Sequence, residues 1–492
     1  MKRLIIAATF IVVVLLLAMQ AEAATYYVDL TSGNDANNCT AKATPCLHAP
    51  HMTNCANTCA GITMVGDDQI IFKGGTSITG SAAPWAIRDS GTSGHNIYIG
   101  VDLTWYTGGS FSRPKLDGNY TYGAIINLDS PDVNYVTFDN LEVSHIEAFN
   151  SDDGSVVRGF GSHDLLFKNM YIHGWRCAAC AGIDGQHGGF KIAFSSIGDR
   201  AARQPTIEIQ DSIIENSENS GTSTQQGIGV TNVGIFLRST IHDVSSAMLF
   251  PLIVDCGGVG GLYNVDYPST NASIDPAYHL NGIYLDAAGS GQTTGYIRNC
   301  YFRDIGDAAN AAFPNPREAT IYVYNNIFYG YISMQGAVEV DPYDYGGTNG
   351  GSVVVANNVF YMPGFGITTA IHVVDRSGDT PPVKVTNFTS VNNQFIGDGV
   401  FQDDASAANV SGTITRTTNV TQATATATSQ GYLSANLWAP QNGSGGTCNA
   451  GTSQSSIFTV TYDGFTRPST WDIGAWQCPG TTGRGPGRLR IR

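Results

Sequence analysis

Short apolar strands separated by a polar residue recur along the chain, and the clearest copy is IYVYNNIF at residues 321–328. Apolar side chains at Ile321 and Val323 alternate with tyrosines, which predicts a strand with one buried face. Asn325 follows two residues after Val323, and Phe328 comes three residues after Asn325. Because asparagine tolerates the left-handed backbone region better than most residues, the pattern predicts a bend at Asn325 between two buried positions.

Eight copies of this pattern share a bend residue and an apolar residue three positions later. The bend residues are Asn140, Asn169, Asp211, Arg238, Asn299, Asn325, Asn357 and Asn392. The apolar residues are Val143, Ile172, Ile214, Ile241, Phe302, Phe328, Phe360 and Phe395. Successive bends are 26 to 42 residues apart, except for one interval of 61 that we interpret as two turns because residues 279–289 hold an extra strand. A fixed local pattern with a variable period predicts a solenoid with loops of uneven length.

The two ends of the chain predict an exported protein with a single elongated domain. Residues 1–23 have a basic start, an apolar stretch and a small-x-small cleavage site, as secretory signal peptides do. No other stretch is apolar enough to cross a bilayer. We therefore expect a secreted or cell-surface protein in which a cysteine-rich cap, the solenoid, a closing segment and a basic disordered tail follow the signal. The expected bounds are 24–65, 66–440, 441–478 and 479–492.

Composition and charge agree with an exported protein that is rich in strands. The chain has 58 glycines and only 13% charged residues, which favours strands and turns over helices. A formal net charge of −15 disfavours nucleic acid as a partner, and it repels acidic polysaccharide unless cations or local basic residues intervene. Ten cysteines predict disulfides in such a chain, with Cys448 and Cys478 as the preferred pair and Cys177-x-x-Cys180 as a local staple.

Both ends of the solenoid region resemble secreted right-handed parallel β-helix proteins of the pectate-lyase-like superfamily. Residues 26–28 match the opening YYV strand, and residues 66–76 match the Gly-Asp-x-apolar-apolar strand that ends in Gly-Thr. Residues 467–477 resemble the Asp-Ile-Gly-Ala-aromatic closing motif, with Gln477 in its acidic position. The resemblance implies an all-β chain that forms a single-domain right-handed parallel β-helix. It leaves the function open, because this architecture carries many activities.

A second strand precedes the bend strand in several turns. We expect its apolar residues to point inward, namely Phe190, Ile228, Ile283, Val338 and Ile371. Because side chains alternate along a strand, the next residues face outward in one row, namely Lys191, Gly229, Tyr284, Glu339 and His372. A second outward row holds Ala193, Thr231, Asp286, Asp341 and Val374. The polar and aromatic members of these rows predict a binding face for an extracellular polysaccharide that lies across the rod, with Tyr284, Asp286, Glu339, Asp341 and His372 as candidate substrate-binding residues.

One local combination resembles pectate lyases of family nine, in which an N-S-D-D-G segment binds calcium and a later G-F-K carries the catalytic lysine. The chain has N-S-D-D-G with Asp152 and Asp153, and G-F-K with Lys191. The resemblance implies that both aspartates bind Ca²⁺ and that Lys191 is the general base. Arg158 is a further catalytic candidate, because its guanidinium suits a substrate carboxylate.

The match to family nine departs from the family pattern at two places. Val156 stands where the family has a further aspartate, and Gly188-Gly189 stands where it has Asn-Gly. The chemistry that the resemblance implies is coherent, because a cation that neutralises a uronate carboxylate acidifies the neighbouring C5 proton. A lysine close to another cation then loses its own proton more easily and acts as the base.

Two other functions fit the same outward residues. A carboxylate pair from Asp286, Glu339 and Asp341 would suit an inverting glycoside hydrolase if the two groups lie roughly 6.5–9.5 Å apart. A non-catalytic surface or adhesion scaffold would present only a polar rod. We therefore expect a protein that binds and cleaves an extracellular polysaccharide, with β-elimination of a uronate polymer as the favoured reaction.

Overall fold

The structure is a computed structural model in which three long parallel sheets form the body of the molecule. It describes residues 23–121, 123–129, 132–147, 154–176, 186–217, 226–244, 246–265, 280–286, 293–305, 309–330, 336–342, 350–362, 369–376, 378–379, 382–398, 401–441, 443 and 445–479. Within this part of the chain, the sheets named A, B and C here have 13, 11 and 12 strands. Each complete turn contributes one strand to each sheet, so the expected right-handed parallel β-helix is confirmed.

The strands repeat in the order A, C, B along most of the chain. Sheet A contains Thr25–Val28, Gln69–Gly74, Ile97–Tyr106, Asn134–Asp139, His163–Lys168, Ile207–Gln210, Ile235–Leu237, Ile253–Asp255, Thr294–Arg298, Thr320–Tyr324, Ser352–Ala356, Asn387–Val391 and Ile414–Thr417. Sheet B contains Trp85–Ala86, Ile126–Leu128, Ser155–Phe160, Gln186–Ala193, Gln226–Thr231, Ser246–Leu249, Leu280–Asp286, Ala309–Asn315, Val338–Val340, Thr369–Val373 and Phe401–Asp403. Sheet C contains Ser77–Thr79, Lys115–Asp117, Glu142–Glu147, Tyr171–Arg176, Ile213–Ser217, Thr240–Val244, Gly261–Val265, Tyr301–Ile305, Ile327–Tyr329, Val359–Tyr361, Gln394–Ile396 and Val420–Gln422.

Helices and one small antiparallel pair complete the described elements. The α-helices are Asn57–Ala60, Ile197–Arg203 and Thr424–Ser429. The 3-10 helices are Gly80–Ala82, Gln204–Thr206 and Ser434–Asn436. The antiparallel pair joins Tyr432–Leu433 to Ala439–Pro440. Only short helices are present in the described residues, as the strand-rich composition predicts.

The bend residues form the corner between sheets A and C. All eight have a positive φ, from 47° at Arg238 to 64° at Asn140. The apolar residues three positions later are fully buried and lie beside one another in sheet C. In the later turns their rings stack, with centroids 4.8 Å apart for Phe302 and Phe328 and 4.7 Å apart for Phe328 and Phe360. The bend and its buried anchor are therefore confirmed in every predicted copy.

The long interval between two bends holds the extra turn that the sequence predicts. Ile253–Asp255 adds a strand to sheet A between the strands that precede Arg238 and Asn299. Cys256 follows that strand and forms a disulfide with Cys300, one turn later. The extra turn lacks an asparagine at its bend, so its repeat is less visible in the sequence.

A buried asparagine ladder follows the corner through the last turns. Asn358 Oδ1 accepts hydrogen bonds from the backbone N–H of Asn326 at 2.8 Å and from Asn326 Nδ2 at 3.1 Å. Asn393 Oδ1 accepts in the same way from Asn358, and Asn419 continues the ladder. The first three side chains are fully buried, so each amide satisfies polar groups that water does not reach.

The closing segment lies against the side of the rod. Cys448 and Cys478 form the predicted disulfide. Asn325 Nδ2 donates to Val460 O at 2.7 Å, so the asparagine corner itself holds this segment. Arg467 Nη2 donates to Asn325 Oδ1 at 2.9 Å, and complete burial lowers the pKa of Arg467 to about 9. The segment therefore covers the corner and part of the outer face of sheet C in the last turns.

The described elements also locate the start of the solenoid. Thr25–Val28 already pairs in parallel with Gln69–Gly74, so the segment expected to form a cap supplies the first strand of sheet A. Its cysteines form the pairs Cys39–Cys46 and Cys55–Cys59. Disulfides of this kind persist in oxidising compartments. Cys177 and Cys180, the signal segment and the basic tail lie outside the described residues, and among described helices none is long and apolar enough to cross a membrane.

Candidate functional site

The candidate site is the outer face of sheet B, where unlike side chains stand beside one another in successive turns. One outward row consists of Asn127, Arg158, Lys191, Thr231, Leu249, Tyr284, Phe313, Glu339 and His372. Neighbouring strands are about 4.8 Å apart, so the row runs along the axis of the rod. The inward direction expected for Phe190, Ile283 and Ile371 is confirmed by their complete burial.

Two strand positions differ from the expected rows. Lys191 pairs with Thr231, not with Gly229, and Gly229 lies two residues earlier on the same strand. The expectation was wrong because it aligned Ile228 with Phe190, whereas Ile228 pairs with Gly188. Loops of unequal length leave room for such a shift by two residues, which keeps the same side chains outward.

Lys191 and Arg158 are direct neighbours in register on this face. Arg158 is half-buried, and its Nε donates to Asp129 Oδ2 at 2.7 Å. A second nitrogen, Nη2, also contacts Asp129. These two contacts with Asp129 orient the guanidinium of Arg158. The two residues chosen from the sequence as catalytic candidates therefore lie in one place.

The predicted calcium ligands precede this pair along the chain. Asp152 and Asp153 lie outside the described residues, shortly before the strand Ser155–Phe160 that carries Arg158. Within the described part of the chain, no group of three or more histidines, cysteines, aspartates or glutamates is arranged to hold a metal ion. Calcium binding by these two aspartates stays a prediction.

Aromatic side chains line the middle of the outward row. The ring of Tyr284 lies 5.3 Å from that of Phe250 and 4.9 Å from that of Phe313, measured between centroids. The guanidinium of Arg200 lies 5.2 Å from the centroid of Phe250. Burial and the nearby charge of Asp286 raise the pKa of Tyr284 to about 12, so its hydroxyl stays protonated at neutral pH.

Two aspartates of the second outward row are held by arginines. Asp286 contacts Arg317 through Oδ1 to Nε at 2.9 Å and through Oδ2 to Nη2 at 3.1 Å. Asp341 accepts two hydrogen bonds from Arg376, from Nε at 2.9 Å and from Nη2 at 2.6 Å. Asn315 lies between the two aspartates in register. Both aspartates are only 5% exposed, so paired charges, not free carboxylates, occupy this part of the face.

Glu339 and His372 stand side by side at the far end of the row. His372 Nδ1 is hydrogen-bonded to Asp404 Oδ2 at 2.5 Å. This hydrogen bond outweighs the effect of burial and, with the negative charges of Glu339 and Asp341, raises the pKa of His372. Glu339 is 6% exposed, which is less than the predicted outward position suggests.

Several residues of this face were missed in the sequence. Arg200, Phe250, Arg317, Arg376 and Asp404 all contact or neighbour predicted site residues. One signal was available, because Arg317 follows Asp286 by 31 residues and Arg376 follows Asp341 by 35, which is close to one turn of the repeat. Residues one period apart and of opposite charge are candidates for pairs between adjacent turns.

A different row of titratable side chains lies on the outer face of sheet C. His173 and His242 lie there with Glu215 between them in register, so they share one face. His173 is hydrogen-bonded to Glu142 at 3.2 Å, and His242 to Glu215 and Asp243 at 2.6 Å each. Burial opposes protonation of His242, but these hydrogen bonds outweigh it and raise its pKa. Both imidazoles are thus paired with carboxylates and only slightly exposed.

Comparison with known proteins gives likeness of architecture only. No family model and no curated protein matches the chain. The solved structure of pectate lyase Pel9A is 15% identical, with a TM-score of 0.42 over 93% of this chain and 98% of that one. A GH136 lacto-N-biosidase from Eubacterium ramulus is 14% identical, with a TM-score of 0.41 over 81% and 68%. A rhamnogalacturonan lyase is 13% identical, with a TM-score of 0.36 over 79% and 86%.

Proposed function

We propose that the protein is an extracellular polysaccharide lyase that cleaves a uronate polymer by β-elimination on the outer face of sheet B. The observation that carries the proposal is the direct pairing of Arg158 with Lys191 on adjacent strands of that face. The reaction needs a cationic partner for the uronate carboxylate and a base beside it. Arg158, oriented by Asp129, supplies the first and Lys191 supplies the second.

The chemistry follows from these two groups. The guanidinium of Arg158 binds the uronate carboxylate and stabilises the negative charge that develops when C5 loses its proton. The neutral amine of Lys191 accepts that proton. The electrons of the C5–H bond form the C4–C5 double bond, and the bond between C4 and the glycosidic oxygen breaks. The leaving oxygen takes a proton, so the products are one new chain end and one unsaturated uronate.

Calcium belongs to the proposal as a second source of positive charge. Asp152 and Asp153 come a few residues before Arg158 in the sequence and are suited to a hard cation. A cation bound there would share the neutralisation of the uronate carboxylate. Activity that falls on chelation and returns with added calcium would support this part of the proposal.

The test uses wild-type protein, Lys191→Ala, Lys191→Arg and a matched control. Ultraviolet absorbance of the unsaturated product is measured on a panel of uronate polymers. Lys191→Ala should lower the rate by roughly 10²- to 10⁴-fold. Lys191→Arg should fail nearly as badly, because arginine stays protonated. Lys168→Ala is the control, since Lys168 lies on the outer face of sheet A in an ion pair with Asp139 at 3.2 Å. Full activity in Lys191→Ala would overturn the proposal.

An inverting glycoside hydrolase is the second candidate, favoured by the positions of Asp286 and Asp341. They stand in one outward row with only Asn315 between them, which puts their Cα atoms about 10 Å apart. The arginine paired with each aspartate argues against free general acids and bases. New reducing ends without unsaturated product, lost in Asp286→Asn and Asp341→Asn, would favour the hydrolase. No product from any polymer in either assay would favour a scaffold.

A further inference from the structure

We propose that the substrate is a heteropolysaccharide, with a uronate at Lys191 and a neutral sugar about three strands further along the rod. This inference rests on the proposed function and names the substrate class of the same site. It follows from the unequal chemistry of the two ends of the outward row on sheet B. One end offers the neighbouring cations Arg158 and Lys191, and the other offers aromatic rings beside arginines that are close to aspartates.

The row has a fixed order along the rod axis. Thr231 and Leu249 separate Lys191 from Tyr284, one residue per strand. Three strand spacings of about 4.8 Å put Tyr284 roughly 14 Å from Lys191. Each spacing is close to the length of one pyranose residue. A polymer that lies along the axis with a uronate at Lys191 therefore brings a sugar a few residues away to Tyr284.

The position of Tyr284 suits a neutral pyranose. Tyr284 is half-buried between Phe250 and Phe313, so its ring forms part of an aromatic wall. Aromatic rings bury the apolar C–H groups of a sugar, and a few polar groups nearby fix its orientation. The hydroxyl of Tyr284, which interacts with Asn315, supplies such a polar group.

The charges around Tyr284 disfavour a second uronate. Asp286 and Asp341 are paired with the guanidinium groups of Arg317 and Arg376, and Arg200, which lies against Phe250, also interacts with Asp286. A uronate carboxylate there would compete with these aspartates for the arginines and would meet the like charge of Glu339 as well. A homopolymer of uronates would place a carboxylate at every sugar, including this one. A polymer that interleaves neutral sugars would avoid the conflict.

The first experiment compares two polymers of known repeat. One is polygalacturonate, which has a carboxylate at every sugar, and the other has galacturonate alternating with neutral rhamnose. We expect kcat/KM for formation of the unsaturated product to be at least tenfold higher on the alternating polymer. Binding of both polymers to the Lys191→Ala protein, measured by affinity electrophoresis, gives a readout that does not require cleavage.

The second experiment removes the aromatic wall. Tyr284→Ala should lower kcat/KM on the alternating polymer roughly 3- to 10-fold, mainly through KM. Tyr284→Phe should keep most of the activity, because the ring remains. Tyr322→Ala is the matched control, since Tyr322 stacks on Tyr296 on the outer face of sheet A and should leave the rate unchanged.

The outcomes separate the inference from the function on which it rests. Faster cleavage or tighter binding of polygalacturonate, with no effect of Tyr284→Ala, would overturn the assignment of a heteropolysaccharide substrate. The proposed lyase function would remain supported. Absence of unsaturated product from any uronate polymer would overturn the lyase. In that case, the sugar preference would still be supported if the protein binds the alternating polymer preferentially and Tyr284→Ala weakens that binding. Equal binding of the two polymers, or no binding, would overturn the sugar preference.

Discussion

At the corner between sheets A and C the same types of residue recur from turn to turn, whereas on the outer face of sheet B the type of residue changes from strand to strand. At the corner, six of the eight bend residues are asparagine, and every buried anchor is apolar. On sheet B, neighbouring positions hold arginine, lysine, threonine, leucine, tyrosine and phenylalanine in succession. At the corner, the chain needs a positive φ and a buried apolar anchor in each turn. On the face of sheet B, each strand presents a side chain of different chemistry.

The contrast separates the residues that maintain the fold from the residues to which we assign the proposed function. A positive φ and a buried anchor are needed wherever the chain turns, so the corner repeats. Under the proposed function, a polymer along the rod meets each strand at a different sugar, so the strands need not carry the same residue. Substitutions at the corner should therefore change stability, and substitutions on the face should change activity.

The largest effect is expected for the stacked anchors of the corner. Phe328→Ala should lower the free energy of unfolding by about 3–5 kcal/mol, because the fully buried ring between Phe302 and Phe360 leaves a cavity. Urea denaturation followed by circular dichroism measures the loss. Tyr322→Ala, on the outer face of sheet A, should cost about 1 kcal/mol or less. Equal losses in the two variants would remove the distinction between corner and surface.

A smaller loss is expected when the asparagine ladder is broken. Asn358→Leu should cost about 3 kcal/mol, because Asn326 loses its acceptor and Val323 O loses its donor in the buried interior. The exposed Asn387 is the matched control, and Asn387→Leu should stay within about 0.5 kcal/mol of wild type. Calorimetric unfolding of both variants measures the difference, and a harmless Asn358→Leu would show that the ladder adds no stability.

The bend itself should respond to the side chain that it carries. Asn140 has a φ of 64°, so a β-branched side chain is strained there. Asn140→Val should destabilise by about 1–2 kcal/mol, while Asn140→Gly should remain close to wild type because glycine adopts positive φ without strain. Chemical denaturation of the two variants measures the difference. Equal stability of the valine and glycine variants would contradict the requirement for a positive φ at this bend.

The smallest effect is expected on the face of sheet B, where His372 gives a pH signature. Its folded pKa is raised by Asp404 above the ordinary value of 6.5. The stabilising contribution is therefore complete below pH 6.5 and is lost as the pH rises through the folded pKa. Because Asp404 is exposed, we expect less than about 1 kcal/mol. The difference in unfolding free energy between wild type and His372→Asn, measured against pH, should shrink on the alkaline side. A difference that grows with pH would contradict the assignment.

The outward rows show where sequence reasoning reaches its limit. Alternation along a strand correctly placed Phe190 inward and Lys191 outward. It left open which residue of the next turn stands beside Lys191, because a shift of two residues preserves every inward and outward direction. The structure selects Thr231. It also places Arg317 on Asp286, across a loop whose path the local pattern does not encode.

The sequence by itself determined the solenoid, its turns and its corner residues, and it favoured the pairing of Cys448 with Cys478 that the structure confirms. The solenoid, its turns and its corner residues depend on local backbone geometry and on a sequence pattern that recurs in each turn. Only the tertiary structure decided the register of sheet B, the arginine partners of its aspartates and the docking of the closing segment on Asn325. Such contacts join residues that are distant in the chain, and loop lengths vary from turn to turn. Their identity therefore depends on how the whole rod packs.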